Sequence, residues 1–309
     1  MSKPITRTRP RTKSAPARGA LRQPITVSAR WLVTAICIAI AAAIACTWGA
    51  ICLTFWQGSW QLLYHPTAPV TRTPASAAIA FDNVEFGPSP AGTPRLRGWW
   101  IPAGPGSSYT AIFLHGANGN LSDTVDDLAR LHAANLNVLA LDYRGYGQSE
   151  FMRPSETRWR EDAESAIQYL RDTRHIAARS LVLVGSGLGA NLALQVAAAH
   201  PELAGVVLEE PVEAPTDAIF RDPRARMVPA RALVSDRWDS NTTAASLRIP
   251  SLWFFRRGQG GDKTPEAFER VTARKVIVWL ARGETGQRDY EDALSRWLDD
   301  LPARADRVD

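Results

Sequence analysis

An α/β fold, with a mostly parallel eight-stranded sheet, helices on both faces and a small helical cap, is predicted by three observations. Eight strand-like runs follow one another from Phe81: FDNVEF, RLRGWWIP, TAIFLHG, NVLALDY, SLVLVG, AGVVLEE, SLWFF and KVIVWL. The later runs alternate with helical segments, as parallel strands require. Within LVLVGSGLGANLAL, residues 181–194, an apolar strand passes through a tight glycine turn straight into a helix.

Ahead of this pattern the chain is of a different kind. Residues 1–30 hold eight Lys or Arg and no acid, with no periodic apolar face, and read as a disordered tail. Residues 31–56 follow, and from Trp31 to Phe55 they carry no charge. At ~1.5 Å per residue such a helix crosses a hydrocarbon core of about 30 Å, so the segment reads as transmembrane. A secretory signal has a shorter apolar region, and cleavage before Cys46 would leave a greasy new terminus.

Trp31, Trp48, Trp56 and Trp60 lie at or near the ends of this span, where aromatic rings favour a membrane interface. Its N-terminal flank is strongly basic and its C-terminal flank has only Arg72 before Asp82. The positive-inside rule therefore leaves the tail in the cytoplasm and sends the large domain across. Usage of 4 Lys against 32 Arg suggests a GC-rich bacterial genome, hence an inner membrane and a periplasmic domain. Cys37, Cys46 and Cys52 all fall within the span, so the exported part has neither disulfides nor thiolate ligands.

Once the tail is removed, 28 basic residues face 31 acidic ones. That balance argues against nucleic acid as a partner, because such binding concentrates Lys and Arg on the folded surface. The 57–80 stretch is expected to be a connector and 81–303 the globular domain. Trp159, Ala163, Ile167 and Leu170 share one helical face, and Tyr290, Ala293, Leu294, Trp297, Leu298 and Leu301 form the stripe of a last helix. Between the strands ending near Glu210 and starting at Ser251 lie about 40 residues, too many for a plain crossover; a cap at about 212–248 is expected.

Four segments in order, FLHGANGN (113–120), LALDYRGYGQS (139–149), VGSGLGAN (184–191) and VVLEEP (206–211), resemble the α/β-hydrolase superfamily. The likeness is to membrane-anchored serine hydrolases of the esterase and serine-aminopeptidase-like kind. That resemblance implies an oxyanion hole from the amides of Ala117 and Leu188, with His115 and Gly116 shaping the loop and Asn118 to Asn120 tying it down. It also implies a nucleophile at the glycine turn.

Sterics fix which position that is. The bend needs small residues two before and two after the nucleophile. Were Ser186 the nucleophile, those neighbours would be Val184 and Leu188, both bulky; for position 187 they are Gly185 and Gly189. Position 187 is itself Gly187, which has no oxygen to attack a carbonyl.

The resemblance places the acid four residues before Pro265, at Gly261, and the histidine after the last strand, near Gly286 or Gln287, in the loop ARGETGQRDY. The five histidines are His65, His115, His132, His175 and His200, and none follows residue 200. All three triad positions are thus degenerate. Fallback candidates are Ser186 as a displaced nucleophile, with Asp262 or Glu209 as the acid; otherwise Glu209 and Glu210 pair with cap arginines such as Arg221 or Arg224. No ligand spacing such as H-E-x-x-H occurs, so neither a metal nor another cofactor is implied. The expectation is a pseudo-hydrolase that binds a small ligand or protein partner, the alternative an active esterase, thioesterase or peptidase with displaced groups.

Overall fold

The computed structural model describes residues 27–258 and 263–301. The chain divides into two units, Met1–Gly49 and Ala50–Asp309. Helix α1, Ala29–Gly58, supplies the described part of the first unit, where its apolar side chains are nearly all exposed. It is the one described helix long and apolar enough to cross a membrane.

The second unit is built on eight strands: β1 Asp82–Pro88, β2 Pro94–Ile101, β3 Thr110–Leu114, β4 Asn137–Asp142, β5 Leu181–Ser186, β6 Gly205–Glu209, β7 Ser251–Arg256 and β8 Lys275–Leu280. Their order across the sheet is β1-β2-β4-β3-β5-β6-β7-β8. Strand β2 runs antiparallel to both neighbours, and every pairing from β4 to β8 is parallel. All eight strand-like runs of the sequence are in this sheet.

Helices α2 Val125–Ala133, α3 Glu156–Asp172, α4 Leu188–Ala199 and α5 Glu284–Asp299 cover it. Alternating strand residues feed two apolar layers. Ile112, Leu114 and Leu183 pack with Trp159, Ile167 and Leu192 of α3 and α4, whereas Phe113, Val182 and Val184 pack with Leu128, Leu294 and Trp297 of α2 and α5. The helix faces inferred from spacing at Trp159 and Tyr290 are therefore the buried ones.

Helix α5 begins six residues earlier than its apolar stripe, at Glu284, so ARGETGQRDY is mostly helix and not a loop. Gly286 is the reason: buried in the first turn, it lets Ala281 approach so closely that a Cβ at 286 would lie 1.9 Å from the Ala281 carbonyl oxygen. Between β6 and β7 lie short helices at Asp217–Phe220, Ala230–Leu233 and Ser240–Ser246.

The last turn of α1 and the residues just after it pack firmly. Phe55, Leu63 and Tyr64 are buried, and the Tyr64 hydroxyl donates to Asp236 Oδ2 (2.5 Å) while accepting from Trp238 Nε1 (3.1 Å). His65–Pro66 pairs with Asn118–Gly119 in a separate two-stranded ribbon that the sequence does not foretell.

Candidate functional site

The bend between β5 and α4 is made by Gly187, at φ 56° and ψ −123°, a conformation in which a side-chain-bearing residue is strained. The residues two before and two after it cannot be larger than glycine. A Cβ at Gly185 would lie 2.3 Å from the Gly189 carbonyl oxygen, and one at Gly189 would lie 2.1 Å from that of Leu114. At Gly187 itself the nearest atom to such a Cβ is the Gly116 Cα, 3.9 Å away. The bend thus offers space at 187 alone, and the residue there leaves it empty.

Leu188, buried, opens α4, so its amide has no acceptor within the helix. The loop bearing Ala117 is fixed from several sides: its carbonyl accepts the His65 amide (2.8 Å) and the Tyr146 hydroxyl (2.9 Å). Asn120 anchors the loop's far end, donating to Thr67 Oγ1 and the Pro69 carbonyl and accepting the Ser122 amide. His65 Nδ1 lies 2.9 Å from Asn118 Oδ1.

His115 is buried, with Nδ1 2.8 Å from the Gly116 carbonyl and its ring among Tyr143, Tyr146 and Trp159. Burial pushes its pKa down to about 4 and that of Asp142 up to about 7. Their 3.6 Å approach is accordingly a contact of a neutral imidazole with a carboxyl, not an ion pair. His132 ends α2, and His200 beyond α4 pairs with Glu164 and Glu202.

Ser186 and Glu209 are register partners on β5 and β6 and face one cavity of about 610 Å³. It opens at the C-terminal ends of β6, β7 and β8, where open α/β sheets form sites. Tyr290 donates to Glu209 Oε1 (2.6 Å), and Arg130 Nη2 lies 3.7 Å from Oε2 while also pairing with Asp127. Burial raises the Glu209 pKa to about 7.

The pairing expected of these acids with the cap is not found. Glu210 binds Arg256 (2.9 Å), whereas Arg221 pairs with Asp217 and Arg224 with Asp222, each within its own short helical turn. Gly286, buried in α5, and Gln287, exposed on it, also line the cavity. Gly261 and Asp262 lie outside the described residues. No group of three or more His, Cys, Asp or Glu that could hold a metal occurs among the described residues.

Sequence reasoning missed the cations of this cavity: Arg130, Arg256, Arg257 and Arg282. Three of them stand in RRG and ARG at or just past the ends of the last two strands, a signal that was available. Arg130 had none, because its role depends on how α2 meets Tyr290 of α5.

With strand order and glycine bend in place, the chain belongs to the alpha/beta hydrolase family, whose sequence model matches residues 111–308. It is 29% identical over 218 residues to the uncharacterized protein Rv2307c of Mycobacterium tuberculosis, covering 69% of this chain and 74% of that one. To the uncharacterized protein YfhR of Salmonella typhimurium it is 37% identical over 125 residues, 36% of this chain and less than half, 42%, of the relative. Among solved structures, the esterase Pf2001 of Pyrococcus furiosus superposes with a TM-score of 0.59 at 19% identity, over 78% of this chain and 99% of the esterase. An acetyl xylan esterase from Paenibacillus sp. R4 gives 0.53 at 13%, over 80% and 99%. These two likenesses are of fold.

Proposed function

We propose that this chain is a membrane-anchored member of the family that binds a ligand or partner without turning it over. The observation that carries the reading is Gly187: the strained bend and its steric room are kept, and the attacking atom is absent. Gly286 supports it, since of the two positions inferred for the histidine this one is committed to backbone packing against Ala281 and the other is Gln287, which cannot take up the proton. Ser186 faces the cavity beside Glu209, but no described histidine lines that cavity to take its proton.

In this reading α1 is the anchor, with the basic tail in the cytoplasm and the domain on the periplasmic side of a bacterial inner membrane. Protease added to intact spheroplasts then degrades the domain but spares the tail, and the reverse pattern contradicts this orientation. For catalysis, the test is turnover of a panel of activated esters by purified full-length protein. Loss of a triad leaves roughly 10³ to 10⁴ over the uncatalysed rate, far below an intact enzyme. Turnover at that level or less, unchanged in Ser186→Ala and Glu209→Gln, supports binding without catalysis. Turnover that Ser186→Ala abolishes supports the displaced-nucleophile alternative.

A further inference from the structure

The cavity facing Ser186 carries an imbalance of charge that the acids among the described residues do not settle. Arg256 is taken up by Glu210, and Arg130 by Asp127 and Glu209. Glu284 leans along α5 to Arg288 (3.6 Å). Arg257 and Arg282 have no acidic partner among the described residues, yet the fold brings them together. Strands β7 and β8 run in register with Arg256 opposite Leu280, so the two arginines leave adjacent strand ends. The Arg257 amide is tied to the Leu280 carbonyl (3.0 Å), and Arg282 Nη2 lies 3.9 Å from the Cβ position of Gly258.

Two guanidiniums that line one cavity with no acidic partner among the described residues favour an anion there. A third positive element closes the same wall. Gly283, at φ 68°, caps the 16-residue α5 with no side chain, and Gly283, Glu284 and Gly286 line the cavity, so an uncapped first turn lies there. Guanidinium forks beside unsatisfied amides are the chemistry that receives an oxyanion.

We propose that this cavity is a binding site for a small phosphate-bearing molecule, whose phosphate is held between Arg257 and Arg282 at the start of α5. The proposal deepens the reading of the protein as a binder, since the strand ends that carry acid and histidine in the resemblance carry cations here. A doubly charged phosphate suits it better than a carboxylate because two arginines and a helix terminus are left unbalanced among the described residues. The cavity volume admits an organic substituent beyond the phosphate.

Calorimetric titration of the full-length protein in detergent with glycerol 3-phosphate, and of the same protein in nanodiscs with and without phosphatidic acid, tests this. Saturable binding to either is expected, the free ester marking a soluble ligand and the lipid a headgroup ligand. Combined R257Q and R282Q should weaken it at least about tenfold, a loss of about 1.4 kcal/mol. Glu284→Gln, which removes a repelling carboxylate, should tighten it several-fold, while Arg160→Gln on α3 leaves it unchanged.

Absence of saturable binding to both probes overturns the proposal. So does binding that R257Q with R282Q and Arg160→Gln weaken equally, which marks unspecific attraction. Should the arginine variants fail to fold, Glu284→Gln alone decides: no tightening counts against the site. Ester turnover with phosphate binding intact would remove the non-catalytic reading and leave the site standing, whereas loss of binding without turnover would do the opposite.

Discussion

Alanine at each of the three glycines of the bend should have sharply different consequences. At Gly185 and Gly189 the new Cβ would meet carbonyl oxygens at 2.3 and 2.1 Å, both of them backbone and neither able to swing aside. Ordinary overpacking costs about 1–3 kcal/mol, and displacing a strand from its helix belongs at or above the top of that range. At Gly187 there is space, so the cost is conformational. An unfavourable φ/ψ costs about 1–3 kcal/mol, and a gain of about 0.4–1 kcal/mol from a stiffer unfolded chain offsets part of it.

Gly187→Ala should therefore lose about 1–2 kcal/mol and the other two about 3 kcal/mol or more. Urea unfolding of the detergent-solubilised protein, followed by tryptophan fluorescence, reads this out. With a slope near 3 kcal/mol per molar, expected for a domain of this size, the midpoint falls by roughly 0.5 M for Gly187→Ala and about 1 M or more for the others. Equal losses at all three sites, or a harmless Gly185→Ala, would refute the steric assignment of position 187.

Gly286→Ala should destabilise by about 3 kcal/mol for the same reason, the Ala281 carbonyl lying 1.9 Å from its Cβ; a wild-type unfolding midpoint would contradict the account of that position. Tyr64→Phe should cost about 1–3 kcal/mol, because Asp236 and Trp238 both lose their partner in a buried place, and comparison with wild type in the same urea titration checks it. A pH effect follows from Glu209. Its folded pKa, about 7, stands above the ordinary 4.5, so the native state binds more protons between those values and stability declines as pH rises through that window. The full loss is on the order of 3 kcal/mol, and Glu209→Gln should remove this part of the slope; wild type and variant with parallel pH profiles would exclude it.

Much of the fold was legible because its strands are self-announcing. Runs such as SLVLVG and AGVVLEE are apolar on both faces and bounded by polar turns, as buried parallel strands must be. The bend was legible at atomic detail because glycines two apart have few other physical reasons. Helix α5 was misjudged at its start: its first turn, ETGQ, has no apolar period, and Gly286 reads as loop until Ala281 is seen against it. The ribbon of His65–Pro66 with Asn118–Gly119 is two residues long and carries no pattern at all. Partners of Glu209 were illegible for a third reason, since Arg130 and Tyr290 are 160 residues apart in the chain and meet only when α2 and α5 pack on the same face.

Intact-protein mass spectrometry after prolonged exposure of the folded, full-length chain to a fluorophosphonate bears most directly on the claim that the bend holds no nucleophile. The account predicts an unmodified mass. A stoichiometric adduct mapped to Ser186, and absent from Ser186→Ala, would contradict it.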